Sequence, residues 1–533
     1  LAPEAVAINL LFSFFDDSEE LKIERAIRNH EDLKNIFISR SSDVLPEYKE
    51  FERGMTTALN AKVGPLMQGY LFRLGQRLEE KFEDCALSIM QSSGGTTSAQ
   101  QAGNYPVNLL LSGPAGGLKG AQIVAAHSSA AHSGGAQAGE DQLLSFDMGG
   151  TSTDVSIIDK KIGFTSGAKI GGYPVAVPMV DMHTIGAGGG SIAQVDAGGL
   201  LLVGPESAAA APGPACYGKG GKRPTVTDAN VVLGRLLPRS FLGGNMQLDK
   251  EAAFAAVQTI ADALSVDASS RSEKPMTVEQ AARGIIDVVN DHMVRALRVM
   301  SVERGEDPKD FTLVSFGGAG GLHVCALAEE LEMSKALVPV NAGVLSALGM
   351  LAAEASRERS RTINKCLKDC NAESIEQIFA ELVTHAKQEL AAVDEKVKLI
   401  LSIDARYLGQ SHALNLPWHG LQNIEKSFHQ KHQDSYGHQL DIDIELVTVR
   451  VRAIEQGQAF VLPRWCSTQE MKSEFIPMPG FEEPVPVINR EALKVGQRIK
   501  GPALITESSS TIWLAEGWHA EVDEVGNLRL AKI

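Results

Sequence analysis

Apolar residues recur at three- and four-residue steps from Leu66 to Phe82, and again from Thr277 to Arg304, where Ile286, Val289, Met293, Leu297 and Met300 form one stripe. Both spacings predict amphipathic helices whose stripes are core packing. The run Ala5–Phe15 is about half of the ~20 residues a membrane span needs and predicts a buried strand. Leu87–Ala102 and Leu109–Ala125 each read as strand, small-residue turn and helix start, the grammar of an α/β layer. His127–Asp141 is small, polar and glycine-containing; it predicts an exposed loop rather than the metal site its two histidines suggest. Leu143 to about Gly244 is β-patterned and glycine-rich. Glu358–Ala392 reads as helical, and alternating strands with short turns, such as Leu504–Leu514, run on to Ile533.

These textures divide the chain into an α/β segment over 1–140, a second α/β domain over 141–357, and a C-terminal β-rich α+β domain over 358–533. Two or three domains is also what 533 residues imply. Composition is that of a globular protein, 44% hydrophobic and 22% charged. With 50 Lys and Arg against 66 Asp and Glu, the formal charge of −16 repels a phosphate backbone and argues against nucleic acid. Any polyphosphate must therefore be met by local donors or a metal ion. Six cysteines without a CxxC pair fit a reduced, cytoplasmic setting, and no signal or membrane segment is read. The chain starts at Leu1 without a methionine and enters directly into an apolar run, as a piece of a longer polypeptide would.

The most informative string is LLSFDMGGTSTDVSIID, Leu143–Asp159. A buried strand ends in Asp147, the chain turns through Gly149, Gly150, Thr151, Ser152 and Thr153, and a second strand begins at Asp154. Such a hairpin is neither a Walker loop nor a Rossmann turn, both of which lead into helices. Glycines let backbone amides approach phosphate oxygens and hydroxyls add donors, while Asp147 and Asp154 are hard oxygen ligands for Mg²⁺, directly or through water. A bare hairpin would explain two glycines; the whole string is more specific. It resembles the second phosphate loop of the actin, sugar-kinase and heat-shock ATPase superfamily. The resemblance implies an actin-like (ribonuclease H-like) α/β core with inserted segments.

A second string, FTLVSFGGAGGLHVCALAEEL, Phe311–Leu331, carries a strand into Gly317, Gly318, Ala319, Gly320 and Gly321 and then a helix. Small residues there allow an adenine or ribose ring to lie against backbone, although a tight helix–strand turn has the same composition. It looks like the adenosine motif of the same superfamily.

Further strings narrow the resemblance to the hydantoinase A/oxoprolinase family: SSDVLPEYKEFERGMTTALNA (Ser41–Ala61), IMQSSGG (Ile89–Gly95), LLSGPAGG (Leu110–Gly117), VPMVDMHTIGAGGGSIA (Val177–Ala193), VGPESAAAAPGPACYG (Val203–Gly218), PTVTDANVVLGRL (Pro224–Leu236), RYLGQSHALNLP and KGPALITESSSTIWLAEGW. The resemblance implies ATP-dependent opening of a cyclic amide or imide of the hydantoin or 5-oxoproline type through phosphorylation of the ring carbonyl. It also implies ATP and Mg²⁺, a hydantoinase B-type subunit or domain as partner, and an oligomer. Relatives in the superfamily instead carboxylate ketones such as acetone or acetophenone, and a chaperone-like conformational ATPase is a reading from another class. Two departures stand out. Family members carry an earlier Asp-x-Gly-Gly-Thr loop, expected to lie before Leu1, and Gly321 replaces a frequent proline.

A third string, DMHTIGAGGGS (Asp181–Ser191), places Asp181 and His183 at alternate positions, where they could share a second divalent metal such as Zn or Mn. A structural carboxylate–histidine hydrogen bond is the alternative. Asp228 and His323 are possible completing ligands of that metal, though no sequence spacing places them nearby, and Gly186–Gly190 reads as a nest for an anion or substrate. Cys216 reads as a buried inert thiol, Cys366 and Cys370 receive no role, and His412 and Trp518 read as turn or packing residues.

Overall fold

The computed structural model describes residues 3–533 except 83–84, 131–141, 166, 240, 266–274, 391–395, 458–459 and 472–473. The chain forms two compact units, each assembled from separate stretches: Leu1–Ala115, Phe164–Val180 and Ala353–Ala459 in the first, Gly116–Gly163, Asp181–Ala352 and Phe460–Ile533 in the second.

In the first unit the strands Ser356–Cys366, Ile444–Glu455, Val397–Tyr407 and Leu414–Pro417 form an antiparallel sheet in that order. Alternate residues of a strand point to opposite faces, so Ile403, Tyr407, Val449 and Val451 bury against Phe379 and Leu382 of the helix Ala372–Leu390 and Phe428 of the helix Ile424–Tyr436. Asp404, Arg450, Arg452 and Glu358 take the other parity, with Glu358 paired to Arg452 in register. Arg450 is held there by Glu47 at 2.6 and 3.0 Å and by Asp404 at 2.8 Å. The long helix Glu50–Glu79 packs on the parallel strand pair Ala5–Ile8 and Phe37–Arg40. Contact is tight at Gly64, where a Cβ would lie 2.3 Å from the Phe37 ring.

Several expectations fail here for identifiable reasons. The strand in Ala5–Phe15 stops at Ile8, and the chain turns with Phe12 at a φ of 59°. Leu11, Phe12 and Phe15 are 74, 68 and 82% exposed. Buried Glu20 anchors the turn by accepting from Leu10 N, Ser41 Oγ and Ser42 N at 2.7–3.0 Å, a polar constraint that apolar periodicity does not report. Leu87–Ala102 is a hairpin, Ser88–Met90 with Thr96–Ser98, before its helix Ala99–Asn104. Leu109–Ala125 contains no strand; a short 3-10 turn, Pro106–Leu109, leads to the helix Ser112–Ala130. His127 lies in that helix, and 131–141 of the expected loop fall outside the described residues. Glu358–Ala392 begins within the strand Ser356–Cys366, whose sequence SRERSRTINKC is polar on both faces and so lacks the alternation that predicts a strand. The stretch 358–533, expected as one domain, is divided between the units at Ala459/Phe460.

The second unit is built on a nine-stranded mixed sheet. Its order is His183–Ile185, Thr153–Asp159, Gln142–Met148, Thr312–Phe316, Lys335–Val338, Leu528–Lys532, Trp518–Val522 and Arg498–Lys500, with Lys161–Ile162 pairing off Thr153–Asp159. Thr312–Phe316 runs parallel to both of its neighbours, and the remaining pairings are antiparallel. The expected helix spans Val278–Met300 and buries Ile286, Val289, Met293, Leu297 and Met300; Thr277 and Gln280 form its capping box. Leu504–Leu514 folds as expected, with Ala503–Thr506 paired to Thr511–Leu514. Trp518 is fully buried and donates to Glu329 at 2.8 Å. Among the described residues no helix is long and apolar enough to cross a membrane.

Asp228 supports the second unit from within. Fully buried at the start of the helix Val226–Val232, its carboxylate accepts from Thr225 N, Thr225 Oγ1, Ala215 N and Cys216 N at 2.9, 2.7, 3.2 and 2.8 Å. Asp228→Ala would strand these donors without water, so we expect a loss of ~2–4 kcal/mol and a lower thermal midpoint. An unchanged melting curve would show that the cluster repacks without cost.

Candidate functional site

Gln142–Met148 and Thr153–Asp159 pair in strict register, placing Asp147 opposite Asp154 and Met148 opposite Thr153. Gly149 N donates to Ser152 O at 3.1 Å and closes the turn. Behind that turn lies the run Gly186–Gly190. Gly189 N donates to Gly149 O at 3.0 Å and Gly190 N to Gly150 O at 2.6 Å. A Cβ on Gly188 would sit 2.7 Å from Thr151 N and 2.8 Å from Gly150 C, so only glycine permits this approach.

The consequence for the turn follows from peptide geometry. In a trans peptide the carbonyl of one residue and the N–H of the next point in opposite directions. With the Gly149 and Gly150 carbonyls held by the glycine run, the Gly150 and Thr151 amides point the other way. Among the described residues the Gly150, Thr151 and Ser152 amides donate to nothing, and Gly150 and Thr151 are exposed. Three amides and two hydroxyls beside two carboxylates can hold phosphate oxygens and a hard cation.

Thr153 has another task. It is fully buried and its hydroxyl donates to Ala187 O at 2.5 Å, so it fastens the glycine run rather than offering a donor outward. The run itself is not an open nest, since the Gly188 amide is taken by Ser191 Oγ at 2.8 Å and those of Gly189 and Gly190 by the turn. Thr227 locks it from the far side, donating through both N and Oγ1 to Gly189 O at 2.7 Å.

Both carboxylates are electrostatically strained. Burial, then the neighbouring Asp154 charge, pushes the Asp147 carboxyl up to about 6. Burial also raises Asp154, partly offset by the Thr184 hydroxyl, which donates to its Oδ1 at 2.5 Å. A divalent cation between them would relieve both.

The second glycine string arrives through the sheet. Thr312–Phe316 runs parallel to Gln142–Met148 with Phe316 opposite Asp147, and Gly317 follows at a φ of 79°. A Cβ there would lie 2.3 Å from Asp147 Oδ1 and 2.4 Å from Met148 O. The two strings thus meet at Asp147. Gly318 is exposed, whereas Gly320 packs inward on Ser315 and Phe146, and Gly321 on Thr511 and Ile512, where a proline ring would not fit without movement. Gly317 N donates to Ala342 O at 3.0 Å, and a Cβ on Gly343 would lie 2.4 Å from Ser509 O. The loops at 341–343 and 507–510 therefore flank this end of the site, which distance along the chain conceals.

The expected metal pair does not form. Asp181 is held by two hydrogen bonds from Arg304, one of them Nη2 to Oδ1 at 3.2 Å, so its lone pairs are committed to a guanidinium lying 123 residues further on. His183 pairs with Val155 on the sheet edge, and among the described residues no group of three metal-binding side chains exists. Asp228 is spent as described. His323 is buried on Asn290 at 2.7 Å, with burial and nearby Arg235 pulling its imidazole down to about 3. Cys216 is an inert buried thiol pushed up by burial and Asp228.

A family model described as hydantoinase/oxoprolinase matches residues 53–359. The caprolactamase subunit alpha of Pseudomonas jessenii is 33% identical over 98% of this chain and 75% of its own length. The crystal structure of the ATP-dependent caprolactamase from that organism superposes with a TM-score of 0.81 at 32% identity, covering 99% of this chain and 77% of that one. A 5-oxoprolinase of Dictyostelium discoideum is 31% identical over 89% of this chain, which spans 39% of that larger protein. Nucleotide-free acetone carboxylase superposes with a TM-score of 0.77 over 99% of this chain and 76% of that one, but at 22% identity this likeness shows the fold alone.

The raised Asp147 carboxyl has a measurable sign. A folded-state value of about 6 against an ordinary 3.8 means the fold retains this proton; that contribution is complete below about pH 4 and is lost as pH rises through 6. At pH 8 the buried anion costs up to ~3 kcal/mol. Without divalent cation, Asp147→Asn should therefore raise the thermal midpoint at pH 8 and leave it nearly unchanged at pH 4. An equal shift at both pH values would contradict this electrostatic account.

Proposed function

Because the chain belongs to the hydantoinase/oxoprolinase family, we propose that it is the ATP-handling part of an enzyme that opens a cyclic amide. The observation that carries the reading is the turn Gly149–Ser152, whose three amides, without partners among the described residues, lie beside Asp147 and Asp154 where the second glycine string arrives. An unstrained lactam is stabilised by resonance and resists water. Transfer of the γ-phosphoryl group to its carbonyl oxygen converts it to an electrophile from which phosphate can leave.

In this reading the Gly150, Thr151 and Ser152 amides, with the Thr151 hydroxyl, hold phosphate oxygens, and Gly317 and Gly318 border the nucleoside. Asp147 and Asp154 face Mg²⁺, which supplies charge neutralisation on the phosphates. Thr153, Gly188 and Thr227 act through the turn as positioning residues. The parallel pairing of Gln142–Met148 with Thr312–Phe316, each followed by a glycine turn, supports an actin-like nucleotide core. The relatives named caprolactamase and 5-oxoprolinase support a lactam substrate, and the caprolactamase relative, being a subunit alpha, supports a separate hydantoinase B-type partner.

The test combines the chain with such a partner and measures phosphate release from ATP in the presence of 5-oxoproline, hydantoin or caprolactam. At least one ring should stimulate release, and Asp147→Asn should lower it by at least roughly tenfold, since a metal-facing carboxylate is lost. Release that follows bicarbonate and a ketone, and ignores every ring, would replace the reading with a carboxylase. Release indifferent to all of them would favour a conformational ATPase.

A further inference from the structure

The strand Ser356–Cys366 closes one side of its sheet, pairing with Ile444–Glu455 and with no further strand among the described residues. Glu455 N donates to Ala355 O at 2.9 Å, which fixes the alternation of the ladder. In register, Arg357 lies opposite Ala453 and Arg359 opposite Val451. These residues therefore turn their main-chain groups toward the partner strand, while Ser356, Glu358 and Ser360 turn theirs toward the open edge.

That edge is covered at both ends. Thr96 makes a single parallel bridge to Ala355, its N donating to Glu354 O at 3.0 Å. The segment then leaves the sheet, because Ser98 caps the helix Ala99–Asn104. Farther along, Tyr48 N donates to Thr362 Oγ1 at 3.2 Å. Between these two points the Glu358 and Ser360 amides donate to nothing, and their carbonyls accept from nothing, among the described residues.

A cavity of about 100 Å³ in the first unit lies in front of this gap. Arg357, Glu358, Arg359 and Ser360 all line it. Side chains at successive positions of a strand take opposite faces, so a space that meets all four residues looks onto the edge itself. Glu358, Arg359 and Ser360 are partly exposed there. At ~10–15 Å³ for each water-sized probe, the cavity admits roughly seven to ten such groups, too few for a long peptide. An open strand edge is complementary to another extended main chain. Glu358 O and Ser360 N lie on either side of Arg359, just as Glu354 O and Ser356 N lie on either side of Ala355, where Thr96 is seated. We propose that the cavity binds a small acyclic diamide of the N-acyl amino-acid amide class, one extended residue with its two flanking amide groups. It repeats the Thr96 bridge, its N–H donating to Glu358 O and its carbonyl accepting from Ser360 N. Both contacts are to main chain, and neither depends on the activity proposed above.

The experiment is ligand-observed NMR titration of the 533-residue chain with N-acetylalanine methylamide and with its analogue methylated at the alanine nitrogen. The parent compound should bind, and the analogue, having lost the donor, should be at least roughly tenfold weaker. Ser360→Ala keeps the amide at that position and should bind as the unaltered chain does. Ser360→Pro removes the amide, which serves no ladder bond, and should remain folded while binding at least roughly tenfold more weakly. Absence of binding by the parent compound, equal affinity for the methylated analogue, or a folded Ser360→Pro that binds like Ser360→Ala would overturn the proposal. Binding of a blocked tripeptide without binding of the parent compound would do so too, since the edge would then take a polypeptide segment instead.

Discussion

Everything distinctive about the Gly149–Ser152 turn depends on one backbone-to-backbone contact, the seating of Gly188–Gly190 against it. Two main-chain segments approach closely only where no Cβ intervenes, and here the reward is directional. Carbonyls of the turn are held on one side, so the amides of the same peptides are presented on the other. Thr153 and Thr227 then keep the rear segment from drifting by hydrogen bonds to Ala187 and Gly189. An acidic protein thereby gains a small donor surface without a lysine or arginine in the turn.

The same region is stable only at a cost. Burial disfavours the charged forms of both Asp147 and Asp154, the Asp154 charge adds to this at Asp147, and Thr184 offsets part of it at Asp154. The Asp181–Arg304 pair, by contrast, is closed on itself. Asp147 and Asp154 thus differ in kind from Asp181, the first two carrying no cationic partner among the described residues and the third already paired.

What could be read from the chain followed the range of the forces involved. The hairpin at Asp147, the glycines after Phe316 and the amphipathic helix over Val278–Met300 rest on local periodicity and turn chemistry, and they fold as expected. The Arg304 partner of Asp181 is invisible to local spacing because it lies 123 residues away. Thr184 and Thr227 could be found only through strand pairing and tertiary contact, although hydroxyls flanking a glycine run were a faint signal. The strand Ser356–Cys366 went unseen because its alternation is polar with polar, and the apolar stretch after Ile8 misled because exposed turns can be greasy. The reading of 358–533 as one domain followed composition, whereas chain reentry into the earlier sheet is decided by pairing partners far upstream.

That reentry has a consequence for biogenesis. Lys335–Val338 receives its outer neighbour, Leu528–Lys532, only after nearly two hundred intervening residues have been translated. At roughly 5–20 residues per second the ribosome leaves that strand edge unpaired for on the order of ten to forty seconds. An open edge of this kind is a template for wrong partners until the closing strand arrives.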